Sequence, residues 1–249
     1  MNLYYVSPLL LQKLIWVPTR IILAFFGNLT IKDIDNTDLV KKNVIFACNH
    51  SSEIDPFIVP ASLSFFSKFS PLFYPVREKK FYDQSGWRKH LFGGRFINLW
   101  GGFPVYVGLH NFEKALEDHV RILKNGGSLC VFPEGGRSHN GYVQPAKGGV
   151  AYLSDASNCP IIPVAISGVF KTSLIDFLLG NRRIRVQFGK PIFPEELRIK
   201  VPAYPSEDKG FYRERAQYVM SKIVGMLPEP SIQNQVADDI HLENIVQWR

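Results

Sequence analysis

No run of 18 or more uncharged apolar residues occurs in this chain of 249 residues, so length alone gives no reason to expect a membrane-spanning helix. Cysteine is scarce. Cys48, Cys130 and Cys159 stand singly within or beside apolar runs, which excludes a disulfide framework or thiolate metal cluster and points to small core residues in a reducing, cytoplasmic setting. The terminal Gly-Lys-Ser/Thr of a Walker loop is missing, and so is the Gly-x-Ser-x-Gly turn of a serine nucleophile. His50, Glu53, Asp55 and Glu134 have no second histidine at ligand spacing, so no metal is expected. Helix-turn-helix and zinc-finger spacings are absent and the basic residues are dispersed, which makes nucleic acid the weakest partner. Internal repeats and low-complexity tracts are also lacking.

What is present suits one catalytic domain with a short appendage, since 46% hydrophobic residues suffice for a sizeable core. A formal charge of +7 favours an anionic partner, such as a phosphorylated substrate or a lipid surface. From Leu9 to Phe26, Lys13, Trp16 and Arg20 interrupt apolar residues and Pro18 should kink or end a helix. That pattern predicts an amphipathic, membrane-interfacial helical segment over 1–35, as one helix or a pair of short ones, with a buried packing helix as the plainer reading. A catalytic domain is expected over 36–228 and a polar tail over 229–249.

Val44 to Cys48 and Ser128 to Phe132 read as buried strands, as do Phe73 to Val76, Phe103 to Val107, Ile161 to Ile166 and Ile184 to Phe188. Asn111 to Lys124 keeps helical spacing, with Asn111 as cap and Gly126 past its end, and Phe211 to Leu227 reads as a closing helix. Strands separated by helical segments predict an α/β fold: a mainly parallel central sheet covered by helices. In such sheets ligands bind outside the carboxyl ends of strands.

Two segments stand at those ends, Asn49-His50-Ser51-Ser52-Glu53-Ile54-Asp55 and Phe132-Pro133-Glu134-Gly135-Gly136-Arg137-Ser138. On a straight helix His50 and Asp55 would point about 140° apart. If His50 sits in a turn and Asp55 opens the next helix, the carboxylate can accept the imidazole N–H, fix its tautomer and leave the other nitrogen to take a proton. Asp55 before Pro56 also fits a plain helix cap. The second segment joins an acid, two glycines and an arginine in a sharp loop suited to holding an anion.

These residues resemble the glycerolipid acyltransferases related to lysophosphatidic acid acyltransferases. The first segment is similar to the family's His-x4-Asp block and Phe132 to Ser138 to its Phe-Pro-Glu-Gly-Thr-Arg-Ser block. Ile162 to Ile166, Lys147-Gly148 and Phe188 to Ile192 follow in the family's order. The resemblance implies a membrane-associated O-acyltransferase on the cytoplasmic face. It would move a fatty acyl group from acyl-CoA or acyl carrier protein, as co-substrate and without a further cofactor, to a hydroxyl of a lysophospholipid acceptor. His50 would be the base and Asp55 its partner, while Glu134, Gly135, Gly136, Arg137 and Lys147 would bind substrate.

Gly136 stands where the family has threonine, and Gly102 to Gly108 lacks the family's phosphate-holding arginine. Arg77, Lys79, Arg95 or Lys147 could replace it. An acceptor without phosphate, or a noncatalytic lipid-binding module, are the other readings.

Overall fold

The computed structural model describes residues 3–78, 95–106, 111–172, 174–202 and 210–228. The tail over 229–249, Val107 and the stretch around Lys79 lie outside them. The described residues form a seven-stranded sheet of β1 (Thr30–Lys32), β2 (Ile45–Cys48), β3 (Leu72–Arg77), β4 (Gly102–Val105), β5 (Ser128–Val131), β6 (Ile161–Ser167) and β7 (Arg185–Phe188). Spatial order is β1-β7-β6-β2-β5-β3-β4. Each neighbouring pair is parallel except β6 with β7. The expected mainly parallel sheet is therefore observed, and it takes in β1 from within the N-terminal 35 residues.

Strand residues alternate between faces with period two, and the burial here follows that rule on both sides. Ile45, Ala47, Leu129 and Val131 enter one apolar cluster, with residues of α5 (Glu117–Lys124), α6 (Gly149–Ser157) and α9 (Gly210–Val224). Phe46, Cys48, Cys130 and Val164 enter the other, with residues of α1 (Leu3–Phe25), α2 (Asp55–Ser62) and α3 (Arg95–Trp100). Full burial of side chains such as Phe46 and Phe73 contributes about 1.5–3 kcal/mol each. Two dry faces explain why the strands read as continuous apolar runs.

Asn111 caps α4 (Phe112–Ala115) as expected, its side chain accepting the N–H groups of Glu113 and Lys114. Leu116 leaves helical geometry, so the single helix expected over Asn111 to Lys124 is two, α4 and α5. Among the described residues there are also the short helices α7 (Leu174–Leu178) and α8 (Pro194–Lys200) and a 3-10 helix over Ile34–Leu39.

In the N-terminal segment Pro18 does not end the helix: α1 continues through both Pro8 and Pro18 as one helix rather than a pair of short ones. Side-chain bonds on either side of Pro18 hold it. Gln12 donates to the carbonyls of Leu72 and Trp100 and accepts the Leu72 N–H. Trp16 and Arg20 donate to the Leu63 and Ala61 carbonyls at the end of α2, where helical carbonyls lack partners. As a continuous helix, Val6–Phe25 is long and apolar enough to cross a membrane, with a mean hydropathy of 1.4. Its buried polar contacts nevertheless dock it along the domain.

Candidate active site

β2 and β5 are adjacent and parallel, so their carboxyl ends lie about 4.8 Å apart and the loops that follow must meet. His50 follows the first strand and Glu134 the second. Asn49 fixes where the first loop departs: buried, it donates to the Ile166 carbonyl and accepts the Ile166 N–H across on β6.

The chain then turns back at Ser51 and Ser52 before α2 opens at Asp55. This brings His50 Nδ1 to 2.9 Å from Asp55 Oδ2. The same oxygen accepts the N–H groups of Ser51 and Ser52, each at 2.8 Å. Asp55 is fully buried, and its carboxylate reaches back to the loop rather than forward as a helix cap. Oδ1 is buried without a hydrogen-bond partner. A carboxylate so held favours the Nδ1–H tautomer, which leaves the lone pair on Nε2. The His50 side chain retains 18% exposure.

The second loop encloses the same histidine. The Phe132 ring stacks on the imidazole, with centroids 4.1 Å apart and planes 21° apart. Glu134 is buried; Oε1 accepts the His50 N–H at 2.6 Å and Oε2 the Gln144 N–H at 2.8 Å. Ser138 N–H donates to the His50 carbonyl at 2.8 Å. Burial pushes the Glu134 carboxyl up to about 7; the Gln144 and His50 N–H groups oppose the rise and the Asp55 charge adds to it.

The remaining site residues expected from sequence surround the turn. Gly135, at φ +68°, lies against Lys147, whose Cδ would be 2.8 Å from a β-carbon added there. A β-carbon at Gly136 would meet Arg77 Nη2 at 3.5 Å, and that nitrogen donates to the Gly135 carbonyl. Arg137 pairs with Glu53 at 2.6 Å, tying the two loops at the surface. Three cations, Arg77, Arg137 and Lys147, thus border one glycine turn. Lys79 and the Arg95 side chain lie outside the described residues.

Pattern reading of the sequence did not assign the Asn49 anchor, the Ser51, Ser52, Ser138 and Gln144 backbone donors, or the Phe132 stack. Phe132 alone had a visible signal, as an aromatic immediately before the loop. Cys48 and Cys130 face each other at 3.8 Å inside the core, and burial pushes the Cys48 thiol well up, so it serves packing rather than nucleophilic attack. Among the described residues no group of three or more His, Cys, Asp or Glu could hold a metal ion.

Comparison with known proteins gives a concordant picture. The chain is 28% identical over 192 residues to a 1-acyl-sn-glycerol-3-phosphate acyltransferase of Saccharomyces cerevisiae, covering 73% of this chain and 59% of that protein. It is 27% identical over 144 residues to one from Limnanthes alba, covering 55% and 45% respectively. The chain thus spans about half the length of the curated relatives it matches. The crystal structure of the 1-acyl-sn-glycerophosphate (LPA) acyltransferase PlsC from Thermotoga maritima superposes with a TM-score of 0.54 at 18% identity, covering 82% of this chain and 73% of that one, a likeness of fold. The acyltransferase family model matches residues 28–167, a span that contains both loops and the strands β2 and β5 that present them; the chain belongs to the acyltransferase family.

Proposed function

We propose that this chain transfers a fatty acyl group from a thioester, acyl-CoA or acyl carrier protein, to a hydroxyl of a lysophospholipid of the 1-acylglycerol-3-phosphate type. The observation that carries this reading is the His50 Nδ1 to Asp55 Oδ2 contact of 2.9 Å, made by a carboxylate that backbone N–H groups already hold in place. His50 Nε2 takes the proton of the acceptor hydroxyl as its oxygen attacks the thioester carbonyl. The carbon–sulfur bond then breaks, and the imidazolium returns the proton to the departing thiolate, leaving an ester and a free thiol. Asp55 stabilises the charged ring between those steps. General-base assistance of this kind is typically worth about 10² to 10⁴ in rate.

Acceptor recognition falls to the glycine turn. Gly135 and Gly136 allow close approach, and Arg77, Arg137 and Lys147 supply positive charge for a phosphate. The names of the relatives support a phosphorylated acceptor. A neutral acceptor is the second reading, favoured by the absence of arginine from Gly102 to Gly108. Purified protein given an acyl thioester and a panel of lysophosphatidic acid, other lysolipids and neutral alcohols tests both. His50→Ala, folded by circular dichroism, is expected to lose nearly all turnover; parental turnover would remove His50 as the base.

Membrane association of the chain, on the cytoplasmic side, completes the reading. The outer side of α1 exposes Leu10, Leu14, Ile21 and Phe25, at 64%, 75%, 50% and 75%. These repeat at helical spacing, with no acidic residue in the helix and with Lys13 and Arg20 along one side of the stripe. Near its end Phe26 meets Phe177, and α7 with the residue after it exposes Ile175, Leu178 and Leu179. Singly exposed apolar residues are ordinary, but a row of them along one side of a helix, with more on the helix its end touches, supports an interaction surface. A bilayer holding the acceptor is the occupant that the acyl-transfer reading supplies.

A further inference from the structure

We infer that Phe132 and Glu134 are positioning residues for His50, so that the second loop acts on the base as well as on the acceptor. This rests on the reading of His50 as the base. In sequence Glu134 belongs with the acceptor-binding residues Gly135, Gly136 and Arg137, and a carboxylate beside an anionic substrate would be an odd choice there, because like charges repel. The geometry gives it a different task. Both oxygens are occupied by main-chain donors, one of them the N–H of His50 itself, and the side chain is buried behind the turn.

His50 is gripped at three points by one loop. Its N–H is held by Glu134, its carbonyl by the Ser138 N–H, and its ring face by Phe132. The Asp55 bond fixes only one ring nitrogen and leaves the imidazole free to swing about that contact; the Phe132 face removes this freedom by setting the ring plane. The loop that does this is itself closed, since Gly135 N–H donates to the Phe132 carbonyl and Lys147 N–H to the Pro133 carbonyl. Glu134 also reaches Gln144 N–H, which binds the far end of the 132–147 segment to the same carboxylate. The turn that presents Arg137 and Lys147 is thereby held in register with Nε2, and acceptor hydroxyl and base meet at a fixed separation.

A positional error of about 1 Å at a reacting group can cost on the order of 10²-fold in rate. Glu134→Gln keeps the size of the side chain but presents an amide N–H₂ to one of the two donors. Phe132→Leu keeps an apolar contact but removes the flat face, and Phe132→Tyr restores it. Steady-state kinetics on the full chain, with oleoyl-CoA and lysophosphatidic acid, separate positioning from acceptor contact. Glu134→Gln and Phe132→Leu are each expected to lower kcat roughly 10- to 100-fold while the acceptor KM stays within about threefold, and Phe132→Tyr to retain kcat within about threefold.

Parental kcat in folded Glu134→Gln or Phe132→Leu overturns the inference. So does a rise of more than about threefold in acceptor KM in Glu134→Gln, which would make that carboxylate an acceptor contact, or a Phe132→Tyr as weak as Phe132→Leu. Should Glu134→Gln fail to fold, the two Phe132 variants decide alone. His50→Ala is run beside them: if it turns over at the parental rate, the base reading fails, whereas an inactive His50→Ala with parental Glu134→Gln and Phe132→Leu sinks only the positioning role.

Discussion

Asp55→Asn tests the catalytic pair most directly, because Asp55 is fully buried and touches neither solvent nor acceptor. The substitution keeps shape and removes charge. In the proposed mechanism His50 takes the acceptor proton, and a carboxylate 2.9 Å from Nδ1 then faces a newly formed imidazolium, an attraction of about 6 kcal/mol at an effective dielectric near 20. An asparagine oxygen in the same place still accepts Nδ1–H and the Ser51 and Ser52 N–H groups, so part of that stabilisation survives as neutral hydrogen bonds. If between about 3 and 6 kcal/mol is lost from the transition state, kcat falls by roughly 10² to 10⁴. Donor and acceptor KM stay near parental values, since no substrate contact is removed. The assay is steady-state acyl transfer with thiol release followed continuously, beside circular dichroism to establish the fold. A fall in kcat of less than about threefold, or a selective rise in acceptor KM, would refute the reasoning.

The glycine turn is expected to respond unequally to its two positions. Gly135→Ala places a β-carbon 2.8 Å from Lys147 Cδ on a backbone at φ +68° and should destabilise by about 1–3 kcal/mol, read by denaturant unfolding, while Gly136→Thr meets only Arg77 Nη2 at 3.5 Å and should leave stability within about 1 kcal/mol. His119 is fully buried, burial lowers it to about 4, and the Phe103 carbonyl bond opposes that only in part. The unfolded chain therefore takes up the proton first as pH falls below about 6.5, so stability is lost between there and pH 4; His119→Leu should shrink the loss from pH 7 to pH 5 by about 2 kcal/mol in denaturant titrations. An unchanged pH dependence would show that His119 is not held neutral. For the apolar face, Leu14→Glu with Phe25→Glu should abolish co-sedimentation with vesicles containing anionic lipid, and Ile175→Glu with Leu179→Glu should weaken it; parental sedimentation in the α1 variant would exclude α1 as the docking surface.

Much of the architecture was legible in the chain because it rests on local periodicity. The buried strands β2 and β5 read as short apolar runs, Asn111 announced a helix start with its side-chain acceptor, and isolated cysteines in apolar settings proved to be core. His50 with Asp55 and the Phe132 to Ser138 turn stood out as polar groups placed directly after those runs. Other features failed for reasons of scale. Pro18 was expected to kink or end the first helix because a single missing N–H dominates local reasoning, whereas the helix runs on through it, tied by Gln12, Trp16 and Arg20 to the carbonyls of Leu72, Leu63 and Ala61 outside it. Leu116 splits the following helix, and nothing in its hydrophobic spacing foretells that.

By itself the sequence determined which residue types stand at the ends of two buried strands, because apolar runs and turn residues are local signals. It also determined the apolar stripe of the first helix and the two basic residues beside it. The tertiary structure alone decided that β2 and β5 are neighbours although residues 49–127 intervene, since strand order depends on how helices cover both faces. That adjacency set the Phe132 ring on His50 and turned the Glu134 carboxylate to a backbone N–H. Such contacts depend on which loops share a sheet edge, and spacing along the chain carries no record of it.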